Sequence, residues 1–254
     1  MRKSMFVATV VWLFSQPTIN VSAAEGDISW SSSTGVSSEY LAQIGATLSK
    51  SPISVNIIEA DYKNFYLGIW NATSLGGRKY GSTYGDEWDL YGGWSHMFGP
   101  MKLDLSGSYF ALYELDKTRD DMWITDQILS LPKMPFVEPY IKSRYFGSVG
   151  SFWKPGWFGF IGLRKSIPFG HGLAGRPYTL NIDASTAYDF GALTDYKGFV
   201  YYRFTTGLDI PLSKRATLAP YLLYQLSAPG EKFNPKGFTH GDKFVYGVTL
   251  KWVF

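Results

Sequence analysis

From Phe244 to the end of the chain, apolar and polar positions alternate without a break. Phe244, Tyr246, Val248, Leu250, Trp252 and Phe254 fall on one side, and Val245, Gly247, Thr249, Lys251 and Val253 on the other. A period of two is the signature of a strand, and this strand has one wholly apolar face. A closed membrane barrel uses such a strand naturally, because its last strand pairs with its first.

The same period recurs along the chain. Segments 37–50 and 53–60 read as the first two strands, both weak, the former through Tyr40, Leu41, Ile44 and Leu48. Segment 64–73, NFYLGIWNAT, is stronger. In 86–96, Trp88, Leu90, Gly92 and Trp94 oppose Glu87, Asp89 and Tyr91. In 101–113, Leu103, Leu105, Gly107, Tyr109, Ala111 and Tyr113 oppose Lys102, Asp104, Ser106 and Ser108. Segments 122–131, less regular, and 157–167, broadly apolar, add two more. Segment 136–146 sets Val137, Pro139, Ile141 and Tyr145 against Glu138, Tyr140, Lys142 and Arg144. Segment 177–189 sets Tyr178, Leu180, Ile182 and Ala184 against Thr179, Asn181, Asp183 and Ser185. Segment 198–210 places Arg203, Thr205 and Asp209 on one face, and 217–226 shows an apolar face of Leu218, Pro220, Leu222, Tyr224 and Leu226.

With the terminal strand these predict an all-β, transmembrane, antiparallel up-and-down β-barrel of 12 strands; 10 is the alternative if the two opening segments are misread. Connections 74–85, 114–121, 147–156, 191–197 and 227–242 are longer than most of those between them, with 169–176 the exception. Long loops on one side and short turns on the other are the asymmetry of an outer-membrane barrel.

The polar faces sharpen this picture. Glu87, Asp89, Lys102, Asp104, Glu138, Lys142, Arg144, Asp183, Arg203, Asp209 and Lys251 all alternate against lipid-compatible residues. A basic residue facing mid-bilayer costs about 2–4 kcal/mol, an acid less, so this set is predicted to line a wet or mutually paired interior. A soluble β-sandwich would send its polar faces to bulk water and its apolar faces into one dry core. It has no use for aromatic residues at the ends of so many strands. Tyr66, Trp70, Trp88, Trp94, Tyr109, Tyr113, Trp157, Tyr178, Trp252 and Phe254 are predicted to form the two interfacial girdles.

Composition then bounds the rest. Met1-Arg2-Lys3 is a basic start, Met5 to Phe14 is apolar apart from Thr9, and Val21-Ser22-Ala23 supplies small residues for cleavage. This predicts a signal peptide over 1–23, export through the inner membrane, and a single outer-membrane domain over 24–254. Loss of Arg2 and Lys3 lowers the formal charge from +3 to +1, which gives no hint of a nucleic-acid partner. The chain has no cysteine, so neither disulfides nor thiolate metal sites hold it together.

The pair NFYLGIWNA (64–72) and EWDLYGGWS (87–95) resembles the signature hairpin of the TorF-like family of porins, small Gram-negative outer-membrane barrels behind a signal peptide. The resemblance is clearest over 64–113 and weaker toward the C-terminus. The first third departs from it, lacking the family's Tyr-x-Phe-Arg-Gly-like opening strand. It implies a porin-like barrel and carries no ligand, cofactor or catalytic residue with it. By resemblance to other outer-membrane barrels, Phe254 looks like the signal read by the barrel-insertion machinery.

The function expected is passive passage of small hydrophilic solutes or ions, with outer-membrane lipids around the wall. The alternative is a non-conducting structural or assembly barrel whose charges pair into a plug. An enzyme is the weaker reading. His96 and His171 fall at the short turns, and His240, near Thr239 and Asp242, has no serine and ordered base placed with it. Glu87 and Asp89 are expected to pair with Lys102 across their hairpin. No nucleotide-binding loop or metal motif is present, so no cofactor is expected.

Overall fold

The computed structural model describes residues 28–76, 86–111, 121–149, 154–172, 175–192, 195–228 and 241–254. The predicted signal peptide, Tyr113, His240 and most of 227–242 lie outside them.

The strands are β1 (Ser29–Ser37), β2 (Tyr40–Leu41), β3 (Thr47–Ser49), β4 (Ile53–Tyr62), β5 (Phe65–Ser74), β6 (Asp86–Phe98), β7 (Met101–Ala111), β8 (Met122–Ser130), β9 (Glu138–Ser148), β10 (Gly156–Phe169), β11 (Tyr178–Phe190), β12 (Lys197–Pro211), β13 (Ala216–Ser227) and β14 (Lys243–Val253). Among the described residues, all but β2 and β3 form one closed barrel of 12 antiparallel strands, each paired with its neighbours in sequence. Closure runs through β1 and β14, from Ser31 opposite Val253 to Ser37 opposite Gly247. A closed sheet leaves no unpaired backbone edge, which is what the bilayer demands.

The strand number agrees with the sequence, but the first strand does not. Segment 37–50 is not in the wall. The wall strand is Ser29–Ser37, SWSSSTGVS, whose outward face breaks off between Trp30 and Val36 at Ser32 and Thr34 and so carries no continuous apolar alternation to read. Segment 38–52 instead folds into the lumen, where β2 and β3 pair as a short, irregular hairpin. Its bend is set by Gly45, at φ +83°, with backbone bonds from Ala42 N to Ala46 O and from Gly45 N to Ala42 O. Nearly every residue from Tyr40 to Ser49 is buried, on both faces of the hairpin, so its apolar residues mark enclosure and not a lipid-facing side.

Elsewhere the predicted faces hold. Leu90, Leu105, Ile141, Ile161, Leu163, Leu222 and Phe244 point outward and are exposed. Trp88, Tyr109 and Trp157 stand outward near the long-loop end, and Phe254 stands at the short-turn end. Two girdle assignments are corrected: Tyr66 and Trp70 are buried in the lumen. Phe65, Leu67 and Ile69 take the lipid face of β5, and the strand's parity forces their neighbours inside. Tyr91 lies flat over Gly68, where a Cβ would stand 2.3 Å from its hydroxyl. That close approach accounts for a glycine in mid-strand.

Candidate functional site

The lumen is the site, and the hairpin from 38–52 occupies it at the long-loop half. Three apolar clusters hold it there. Ile44 and Ala46 sit among Phe110, Ile124, Phe146, Phe158 and Val200. Tyr40 packs with Ile53, Val55, Trp70 and Ala72, its ring 5.8 Å from that of Trp70. Leu41 packs with Tyr221, Leu223 and Val245. Fully burying a side chain such as Leu41 or Ile44 contributes about 1.5–3 kcal/mol, so docking has a substantial apolar component.

Polar contacts fix the hairpin's position. Lys142 Nζ donates to Gln43 Oε1 at 2.9 Å. Tyr201 Oη donates to Gln43 O at 2.7 Å. Arg203 donates to Ala42 O at 3.0 Å and to Gln225 Oε1 at 2.7 Å. Gln225 Nε2 donates to Gly45 O at 3.0 Å. Tyr40 Oη donates to Glu87 Oε2. The partners belong to β6, β9, β12 and β13, so the hairpin touches the wall on opposing sides. The backbone carbonyls of its turn, which would be orphaned in a dry interior, are satisfied by wall side chains.

The predicted lining residues all face inward, and the structure gives most of them a partner. Arg144 makes a two-pronged contact to Asp126, with Nε to Oδ1 at 2.7 Å and an Nη to Oδ2 at 2.6 Å, and Lys142 Nζ reaches Asp126 Oδ2 at 2.9 Å. All three are buried. Glu138 pairs with Arg164 between β9 and β10. Lys251 Nζ lies 3.1 Å from Asp209, whose other oxygen accepts from Asn181 at 3.0 Å. Tyr66 Oη donates to Asp104 at 2.9 Å, and Tyr140 Oη to Asp183 at 3.5 Å.

The expected pairing of Glu87 and Asp89 with Lys102 is not made. Asp89 lies opposite Phe110, whereas Lys102 lies opposite Met97 at the other end of the same hairpin. Tyr40, at the start of β2, supplies Glu87's partner instead. Sequence reasoning also passed over Asp126, Glu59, Arg164, Gln225 and Gln43. The parity of β8 contains the signal for Asp126, since Met122, Ile124, Asp126, Ile128 and Ser130 share its buried face. Gln43 had no such signal, because it is not in the wall.

Toward the short turns the lumen changes character. Glu138, Arg164, Lys251, Asp61 and Ser95 are partly exposed, and their wall is polar. An apolar, occupied upper half therefore sits over a mixed-charge lower half, in which Glu59, Lys102, Asp104 and Asp183 are buried among these partly exposed groups.

Closed barrel, outward apolar band, aromatic belts and polar interior together define an outer-membrane-type β-barrel. No protein-family model and no curated protein matches the chain. Solved structures do match its fold. The KdgM porin aligns with a TM-score of 0.53 at 8% identity, over 89% of this chain and 99% of that one. The NanC porin aligns with a TM-score of 0.55 at 8% identity, over 88% and 98%. An outer membrane channel from Pseudomonas putida F1 aligns with a TM-score of 0.52 at 15% identity, over 94% and 99%. At these identities the likeness is one of fold: porin-like outer-membrane barrels as a group, with no single family picked out among them.

Proposed function

We propose that the protein is an outer-membrane channel for small hydrophilic solutes or ions whose lumen is closed, in the conformation described, by the hairpin of 38–52. The long loops face the exterior and the short turns the periplasm, so the hairpin closes the barrel from outside. One observation carries the reading: a single inserted segment bridges opposing walls of a lumen whose other half is lined by charged side chains, some buried and some partly exposed. Such a lining suits passage of polar solutes and ions once the obstruction leaves. The reading assigns no catalytic residue, and insertion through the machinery that recognises terminal aromatics accompanies it. The TorF-like resemblance of the β5–β6 hairpin agrees with it.

A second reading rests on the depth of the same burial. Three apolar clusters and the five polar contacts described above are enough to hold the hairpin permanently, which would make the protein a structural barrel.

Planar-bilayer recording decides between them. Ser37 lies directly opposite Ile53, so a two-residue turn replaces 38–52 without disturbing the wall. The full chain is expected to give rare, brief conductance steps and the shortened chain large, persistent ones. Silence from both proteins, each shown to be a folded barrel, would sink the channel reading and leave the structural one.

A further inference from the structure

We propose that the outer wall at β1, β4 and β5 is the contact between two copies of this chain in the membrane. Around most of the barrel the outward face is Leu, Ile, Phe, Tyr or Trp. Here it is Ser32, Thr34, Ser54, Asn56 and Thr73, contiguous across three neighbouring strands, with Thr34 exposed, the others half-buried and Asn71 buried beneath them. Register places Thr34 opposite Asn56 and Asn56 opposite Asn71.

The patch lies at the long-loop edge of the outward apolar band, opposite Trp88 in register. Thr34, Asn56 and Asn71 are each the fourth residue from the long-loop end of their strand, about 10 Å along it at the usual rise. Outward apolar residues flank them: Trp30 and Val36 on β1, Ile58 on β4, Leu67 and Ile69 on β5, and Trp88 on β6.

The side chains are joined in a ladder. Thr34 Oγ1 donates to Asn56 Oδ1 at 2.6 Å, Asn56 Nδ2 to Asn71 Oδ1 at 3.4 Å, and Asn71 Nδ2 to the Glu87 carbonyl at 3.1 Å. The ladder softens the cost of polar groups in lipid without removing it. Asn56 Nδ2 also donates to Ser54 Oγ at 3.4 Å, and Asn71 Oδ1 also accepts from Thr73 Oγ1 at 3.4 Å. One acceptor site on Asn56 Oδ1 and one hydrogen on Asn71 Nδ2 are left over, and Thr34 remains exposed. Acyl chains offer nothing to those groups.

A second copy does. Asn, Ser and Thr both donate and accept, so the patch is complementary to itself. Two copies inserted in the same sense are related by an axis along the membrane normal. That axis brings residues of equal depth together, polar stripe against polar stripe, with apolar flanks meeting outside it. The patch carries no charged side chain among its described residues, which disfavours an anionic lipid headgroup as its occupant. Side-chain amides and hydroxyls across protein contacts are an established mode of association within membranes.

The absence of cysteine makes the test clean. Single substitutions T34C, N56C and, as control, I161C are introduced into the full chain. Ile161 is 61% exposed on β10, directly across the barrel from β4. Thiol-specific cross-linking in outer-membrane vesicles is expected to give a band of twice the barrel's mass from T34C and N56C and none from I161C. Equal cross-linking from I161C, cross-links to some other mass, or monomer only from both patch positions overturns the proposal. Should either variant fail to fold, S32C serves in its place. A T34V/N56V double variant, confirmed as a folded barrel by heat-modifiable mobility, is expected to lower the dimer fraction in native mass spectrometry at least tenfold. An unchanged fraction also overturns the proposal.

Discussion

Lys142 on β9 reaches 2.9 Å to the side-chain oxygen of Gln43, ninety-nine residues earlier in the chain, at the centre of the barrel. The same ammonium group holds Asp126 at 2.9 Å. The contact therefore ties the inserted hairpin to a buried charged cluster of the wall. Hydrogen bonds to charged groups contribute about 1.5–3 kcal/mol. Gln43→Ala is expected to raise the fraction of undocked hairpin by about tenfold to a hundredfold, while Asp126 keeps Lys142 paired. Amide hydrogen exchange over 38–52 measures it; unchanged exchange would mean that the apolar clusters alone decide docking.

Tyr40 and Glu87 make the second anchor. Tyr40→Phe keeps the ring against Trp70 and deletes the hydroxyl that serves the Glu87 carboxylate. An unserved buried group costs about 1–3 kcal/mol. Open probability in bilayers is expected to rise, and it should rise further when Gln43→Ala is combined with it. The paired Tyr40→Phe/Glu87→Gln variant separates loss of the bond from loss of the charge.

Arg144 bears on stability more than on selectivity. It is buried and doubly bonded to Asp126, so Arg144→Met removes one member of a dry charged cluster. Breaking such a pair from one side costs about 3–5 kcal/mol, tempered here by Lys142. Urea unfolding of the barrel in lipid vesicles is expected to shift to markedly lower denaturant. If stability holds and ion selectivity moves toward cations instead, the side chain lines an open path.

Glu39 gives the hairpin a pH dependence. It lies outside the wall strands, with Lys243 Nζ 3.9 Å from its carboxylate. Burial pushes its carboxyl above the ordinary value of 4.5, against the opposing pull of Lys243 and Lys50. The docked state thus holds this proton more tightly than the undocked one. Docking is strengthened as pH falls through the window between the raised value and 4.5, and weakens as pH rises through it. Glu39→Gln is expected to dock at least as well as the native chain at neutral pH and to lose this component of the pH response. Proteolysis of 38–52 in intact vesicles across that window reads the difference. An identical pH profile for both proteins would exclude Glu39 as its source.

The wall was largely legible because its physics is local. A strand between lipid and lumen must alternate, so β6, β7, β9, β11 and β14 show their faces directly in sequence, and Glu87, Lys102, Lys142 and Asp209 were placed inside by parity alone. Misplacements arose where parity meets an unusual surface. Tyr66 and Trp70 look like girdle residues until Phe65, Leu67 and Ile69 claim the other face. β1 is hidden because Ser32 and Thr34 interrupt its outward face between Trp30 and Val36, and that same feature marks the proposed dimer contact.

Sequence alone therefore determined the closed antiparallel barrel and the charges turned into it, because the bilayer imposes one rule on every strand; twelve stood beside ten, and the first of the twelve was misplaced. The fate of segment 38–52 was decided only in three dimensions. Its Tyr40, Leu41 and Ile44 are as apolar as a wall strand. What places them in the lumen is the set of pockets, carbonyl partners and charged side chains contributed by β6, β9, β12 and β13, which come together only when the barrel closes. Pairing among the charges was settled in the same way: Asp126 with Arg144, Glu87 with Tyr40. These distances follow from register and shear, which no single strand encodes.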